Sequence, residues 1–166
     1  VGTQTVGYVK VTADTRGPID VNAIKLTFTG NSANTKINPS TALTIKDKSG
    51  STISTAVVGD ESNGGAAVTG DGTAAATAVV VFTNGYRINA GESETFEVQV
   101  NVSSLAGSTS GDSVAVGLTR ANSGTLTEDD VNGFAWTDVA GGGVSTSLLT
   151  GTLIGNFPTT TVSISN

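Results

Sequence analysis

Along much of this chain, apolar and polar residues alternate one by one, and this period of two constrains the fold more than any other feature. The clearest example is residues 96–102, with the sequence FEVQVNV, and the pattern recurs in residues 24–29 and 114–119. Successive side chains of a β-strand point to opposite faces of the sheet, so each segment predicts a strand with one buried and one solvated face. Their many Val, Ile and Thr residues agree with this, because β-branched side chains favour strands.

Shorter apolar segments complete the set of predicted strands. They lie at residues 6–11, 43–45, 53–58, 78–82 and 161–164. The unbroken apolar run at 78–82 predicts a central strand. Turn signals separate the segments, at residues 48–50, 63–65, 71–72, 84–85, 90–91 and 110–112.

Strands of this length and spacing predict an all-β fold, an antiparallel Greek-key (immunoglobulin-like) β-sandwich with an irregular Gly-rich C-terminal extension. We expect the sandwich core at residues 1–131, Gly-rich loops and short strands packed on it at 132–158, and a terminal strand at 159–166. Helical signals are few. The sequence allows one helical turn at residues 103–106 and another that begins at Thr127 as an N-cap.

The chain of 166 residues contains no histidine, cysteine or methionine. Histidine is the usual general base and the commonest metal ligand, and cysteine supplies thiolate nucleophiles and disulfides. The sequence also has no Gly-x-Ser-x-Gly elbow and no phosphate-binding loop. These features predict a protein that is not an enzyme and that withstands oxidation.

Charge and hydropathy limit the partners and the cellular location that can be expected for this chain. Only 13% of residues are charged, about half the share in typical globular domains, and the net charge is -6. An acidic surface repels phosphate backbones, so we expect no nucleic-acid partner. No apolar run is long enough to cross a membrane as a helix. The chain begins at Val1, which predicts a mature extracellular protein at the cell surface, secreted after removal of an N-terminal signal.

The order of several segments resembles a known family. Residues 9–13 (VKVTA) precede residues 19–28 (IDVNAIKLTF), residues 88–96 (INAGESETF) open a long strand, and SGD at 110–112 forms a turn. Over about residues 5–120 this order is similar to the repeat-type β-sandwich domain of bacterial surface-layer and cell-surface adhesion proteins. The resemblance implies a structural role in a lattice, stalk or fibre, with no catalytic residues.

One departure from the family pattern bears on assembly. In tandem arrays of such domains a short strand precedes the segment matching residues 6–11. Here we expect that strand to be absent and a spare strand to lie at residues 160–165. A sandwich lacking one strand can accept a neighbour's strand, and head-to-tail repetition of that contact makes a filament. The expected polymerisation strand is Thr161, Val162, Ser163 and Ile164, with Val162 and Ile164 inserted. The same strand could instead fold back into its own domain, and residues 1–11 are the alternative donor.

Oxygen ligands suggest a calcium site. Glu128, Asp129 and Asp130 are consecutive, and Asp138 follows eight residues later. Calcium prefers such hard oxygen ligands, although the spacing does not match an EF-hand. The alternative is a solvated acidic turn. No other cofactor is expected.

Two further positions are candidates for interactions with sugars. Asn101 begins an Asn-Val-Ser tripeptide and lies on the polar face predicted by the alternation, so it is a candidate for N-glycosylation. Trp136, the single tryptophan, could form an aromatic platform for sugar with Phe134, or it could anchor the C-terminal stretch to the sandwich.

Together these features favour an extracellular structural protein, a subunit of a pilus-like filament or surface layer held together by β-strand contacts between copies. The alternative is a secreted β-sandwich binding module that recognises carbohydrate or a host surface through loops near Trp136.

Overall fold

The computed structural model describes residues 2–30, 35–37, 43–59, 68–70, 75–105, 113–118, 134–138 and 162–165. These residues form strands and connecting turns, and none of them is helical. The strands in chain order are β1 (Gly2–Thr12), β2 (Ile19–Gly30), β3 (Thr35–Ile37), β4 (Thr44–Lys46), β5 (Thr55–Gly59), β6 (Val68–Gly70), β7 (Ala75–Ile88), β8 (Ser93–Leu105), β9 (Ser113–Leu118), β10 (Phe134–Asp138) and β11 (Val162–Ser165). The all-β prediction is confirmed for this part of the chain.

The strands pair into two antiparallel sheets. Sheet A has the order β1-β8-β3-β6, and β4 also pairs with β8. Sheet B has the order β11-β9-β2-β7-β5, and β10 also pairs with β2. Strands β8 and β2 each pair with three other strands. Each of them has one partner along one edge and two shorter partners along the other edge.

A hydrophobic core formed by described residues draws on both sheets, as expected of a β-sandwich. In β8, the side chains of Phe96, Val98, Val100 and Val102 are at most 1% exposed, while the residues between them are partly or fully exposed. In β2, Ile24, Leu26 and Phe28 are equally buried. The alternation therefore predicts correctly which face of each strand is buried.

The strand at residues 78–82 lies inside sheet B, where β7 pairs with β2 on one side and β5 on the other. The prediction of a central strand is confirmed. The predicted helical turn at residues 103–106 is wrong, because β8 continues through Leu105 and pairs there with β3. The second helical signal, at Thr127, lies outside the described residues.

Asn84 and Gly85 form part of a bulge within β7 rather than a turn between strands. Val21 of β2 pairs with Tyr86, but Ala23 pairs with Val81, so β7 carries extra residues at this point. Gly85 has a φ of 68°, and a Cβ there would lie 3.2 Å from the Asn22 Oδ1 atom. Both facts favour glycine at this position.

In the described part of the chain, no helix is long and apolar enough to cross a membrane.

Candidate functional site

The C-terminal strand β11 lies at an edge of sheet B, where it pairs antiparallel with β9 of the same chain. Four residue pairs join them, with Val162 opposite Val116 and Ile164 opposite Val114. Val114 and Val116 are buried at 0% and 6% exposure. We call β9 and β11 the terminal pair. Its register places the two apolar residues of the predicted polymerisation strand opposite core residues, and Ser163 opposite Ala115.

The other sheet reaches the same side of the molecule through β1. This strand forms an edge of sheet A and lies close to both β9 and β11. It is bound to β8 along its whole length, with an irregularity between Thr5 and Gly7 that leaves Val6 out of the register. Val6 is fully buried in the core, so β1 is anchored in its own chain.

The outer edge of β1 pairs with no other strand in the described part of the chain. The Ala13 N–H donates to the Glu92 carbonyl at 3.0 Å, which continues the register of β1 and β8. Hydrogen-bonded pairs alternate in antiparallel sheets, so the backbone groups of Tyr8, Lys10 and Thr12 point away from β8. These three residues are exposed, and a lysine at an edge discourages pairing with another strand.

The predicted calcium ligands lie mostly outside the described residues. Glu128, Asp129 and Asp130 are outside them, as is Thr161 of the polymerisation strand. Asp138 ends β10, where it pairs with Ile19 of β2. Within the ranges that the structure describes, no group of three or more acidic residues is placed to hold a metal ion. The calcium site stays a prediction.

Asn101 lies in β8 opposite Thr3 of β1, and its side chain is exposed, as the alternation indicates. Glycosylation of Asn101 stays a prediction.

Phe134 and Trp136 lie in β10, which pairs with β2. Phe134 belongs to the core at 7% exposure, and Trp136 is partly buried against it. A buried Phe134 cannot contribute a ring to a surface platform. This geometry favours Trp136 as an anchor for the C-terminal part of the chain.

A buried carboxylate, Glu94, was not singled out by the sequence predictions. It is 4% exposed, and it is the buried charged residue among those described. Its Oε1 atom accepts hydrogen bonds from the backbone N–H groups of Lys48 at 2.9 Å and Thr95 at 2.8 Å, and Oε2 accepts from the Tyr86 hydroxyl at 2.8 Å. Glu94 lies two residues before Phe96 in the same strand, so it faces the same side of the sheet as Phe96 and Val98. Extending the apolar–polar alternation to residue 94 would therefore have predicted that Glu94 is buried.

The Glu94–Tyr86 hydrogen bond joins the two sheets, because Glu94 is in β8 and Tyr86 is in β7. Around it, the Phe96 ring centroid lies 5.2 Å from those of both Phe82 and Tyr86. Burial raises the pKa of the Tyr86 phenol well above its ordinary value of 10.0, and the Glu94 carboxylate adds to the rise. The hydrogen bond and the ring contacts thus connect the two sheets at this point.

The raised pKa of Tyr86 predicts a loss of stability in alkali. An unfolded tyrosine loses its proton near pH ~10, whereas the folded protein keeps Tyr86 protonated, so the folded state binds more protons above that pH. The free energy of unfolding should therefore fall as pH rises beyond ~10. In Tyr86→Phe the slope of the free energy of unfolding against pH should be smaller by the contribution of one proton. Urea unfolding at a series of alkaline pH values would measure this slope. An unchanged slope would contradict the assignment.

On the outer face of sheet A, a polar group links β1 to β8. Thr5 donates a hydrogen bond to Glu97, and the Gln99 amide donates to the Glu97 carboxylate at 2.8 Å and to the Thr5 hydroxyl at 3.3 Å. The Thr5 hydrogen bond is the main reason that the pKa of Glu97 is lowered, with contributions from Gln99 and the positive charge of Lys46. These contacts hold β1 in register on β8.

No protein-family model, curated protein or solved structure matches this chain.

Proposed function

We propose that this chain is an extracellular structural protein, a subunit of a filament or surface layer whose copies are joined head to tail by β-strand contacts. We further propose that its two sheets form a Greek-key, immunoglobulin-like sandwich of the kind found in bacterial surface-layer and adhesion repeats. In this role, backbone hydrogen bonds between copies carry the mechanical load, and the function needs no catalytic group or cofactor.

The observation that carries the proposal is the position of β11. It is the last of the described strands, and among the described residues it pairs with β9 alone, through four residue pairs. A short strand at a sheet edge is an element that a neighbouring copy can supply by β-strand addition. The alternative donor, residues 1–11, lies mostly in β1, which is bound along β8 and buries Val6, so its removal would disrupt much more of the core.

Composition supports an exposed and durable setting. The chain has no thiol or thioether to oxidise, and its Thr, Ser and Asn residues outnumber its charged residues. Described strands present such groups outward, as Asn101 and Thr3 do on sheet A. Exposed asparagine and threonine also leave room for attached glycans.

Deleting residues 159–166 should leave folded monomers that no longer polymerise, because the strand that joins the copies is gone. Negative-stain electron microscopy would show filaments or sheets of the full chain and none of the truncated chain. Circular dichroism would check that the truncated chain keeps its β-sheet signal. Filaments that persist after the deletion would contradict the assignment of residues 161–164 as the polymerisation strand.

Point variants provide a matched control for the deletion. Val162→Asp with Ile164→Asp changes the two positions opposite Val116 and Val114, whereas Ser163→Asp changes the position opposite the half-buried Ala115. Assembly should be lost in the first variant and kept in the second, because only the first places charge opposite core residues. Equal loss in both would indicate that added charge alone blocks assembly.

A further inference from the structure

We infer that the acceptor for β11 is the outer edge of β9 in a neighbouring copy, in the register Val162 opposite Val116 and Ile164 opposite Val114. This inference rests on the proposed function and names the surface through which it operates. It describes an open exchange of the terminal strand, in which each copy gives β11 to one neighbour and receives β11 from the other.

The contacts of the terminal pair are the same in either arrangement. Within one chain, β11 covers the edge of β9 through four residue pairs. A copy of β11 from a neighbour would form the same four pairs, so exchange between chains sacrifices no contact in the terminal pair. If β11 departs without replacement, the edge next to Val114 and Val116 is uncovered. Both residues belong to the core, which favours a state in which every β9 is paired.

The chain between β10 and β11 is long enough for exchange. Residues 139–161 connect the two strands. At about 3.3 Å per residue, such a segment can span up to ~75 Å. A sheet of five strands is only about 20–25 Å across, since neighbouring strands lie ~4.8 Å apart. The connection therefore does not oblige β11 to return to its own sheet.

The edge of β9 also lacks the protection seen at the edge of β1. Neither Ser113–Leu118 nor Val162–Ser165 contains a charged residue. By contrast, β1 presents exposed Lys10 at its open edge and has an irregular register near Val6. Charges and bulges are common devices against unwanted strand pairing. Of the two edges on this side of the molecule, β9 is the one suited to receive a strand.

Disulfide trapping tests the inference directly, because the chain has no cysteine of its own. Ala115 and Ser163 are paired residues of the terminal pair. Paired residues in antiparallel strands have Cα atoms ~4.5–5.5 Å apart, which suits a disulfide. The double variant Ala115→Cys with Ser163→Cys is assembled in reducing buffer, oxidised, and separated by denaturing electrophoresis without reductant.

We expect a ladder of covalent multimers that contains most of the protein and collapses to monomer on reduction. Two kinds of control should give only a background of dimers. One is each single-cysteine variant, and the other is the double variant Ser163→Cys with Ser49→Cys, in which Ser49 lies on an exposed turn. A compact, internally closed monomer would overturn the inference, because β11 would then pair within its own chain. The absence of any disulfide would overturn it too, because the register would be wrong.

Electron microscopy of the same samples separates the two proposals. Filaments built from internally closed monomers would overturn the exchange of β11 and leave the structural role intact. Dispersed monomers under all conditions would overturn the structural role as well.

Discussion

Replacing Phe96 with alanine is expected to lower the free energy of unfolding by about 3–5 kcal/mol, the range for loss of a buried phenylalanine side chain. Phe96 is fully buried in β8 and contacts Phe82 and Tyr86 of the opposite sheet, with ring centroids 5.2 Å away in both cases. Its removal leaves a cavity where the two sheets meet. Urea unfolding at protein concentrations that give a concentration-independent midpoint would measure the loss.

Two variants calibrate this result. Phe96→Leu keeps most of the volume and should cost much less than Phe96→Ala. Tyr8→Ala removes an aromatic ring that is 64% exposed, so its effect should stay within about 0.5 kcal/mol. If Phe96→Ala cost no more than Tyr8→Ala, the sheets could not share the core described above.

Replacing Glu94 with alanine is expected to lower the free energy of unfolding by about 3 kcal/mol, because a buried acceptor of three hydrogen bonds is removed. The backbone N–H groups of Lys48 and Thr95 lose their partner, and the Tyr86 hydroxyl loses the contact that ties β7 to β8. The same urea unfolding experiment measures this change.

Glu94→Gln separates hydrogen bonding from charge. The amide oxygen can still accept from the two backbone N–H groups, and the Tyr86 hydroxyl can accept from the amide nitrogen, so most of the stability should return. Glu97→Gln, on the outer face of the same strand, should change stability much less than Glu94→Ala. A Glu94→Gln variant as unstable as Glu94→Ala would show that the negative charge itself is required.

The sequence predicts the strands better than it predicts their extent. Alternation in β8 and β2 identifies the buried side chains, because one face of each strand must meet the core. The end of β8 is mispredicted because Ser103 and Ser104 have little local strand preference. Pairing of Ser104 with Lys36 of β3 extends the strand, and β3 is distant in sequence.

Asn84 and Gly85 show why turn signals are ambiguous. A hairpin turn and a bulge can both require a positive φ, so the same dipeptide suits either. Gly85 lies in a bulge because β7 continues on both sides of it and remains paired with β2 on both sides. That pairing depends on contacts between residues about 60 positions apart, which local sequence does not reveal.

The candidate site was predicted in part. The sequence indicates a terminal strand, and the structure contains one at Val162–Ser165. Its partner, β9, could not be predicted, because residues 159–166 can satisfy the same alternation against any apolar edge. Glu94 was missed for a different reason. Burying a carboxylate is costly, which argues against an inward Glu94 although the alternation allows it. The three hydrogen-bond donors that offset this cost are apparent only in the folded structure.

The antiparallel alignment of β11 with β9 has a mechanical consequence. Hydrogen bonds in such a pair run perpendicular to the strands. Tension along the strand axis therefore shears all four residue pairs at once, whereas a sideways pull peels them apart one after another. If the load runs along the strand axis, a fibre joined in this way would resist stretching far more strongly than it resists being unzipped from one end.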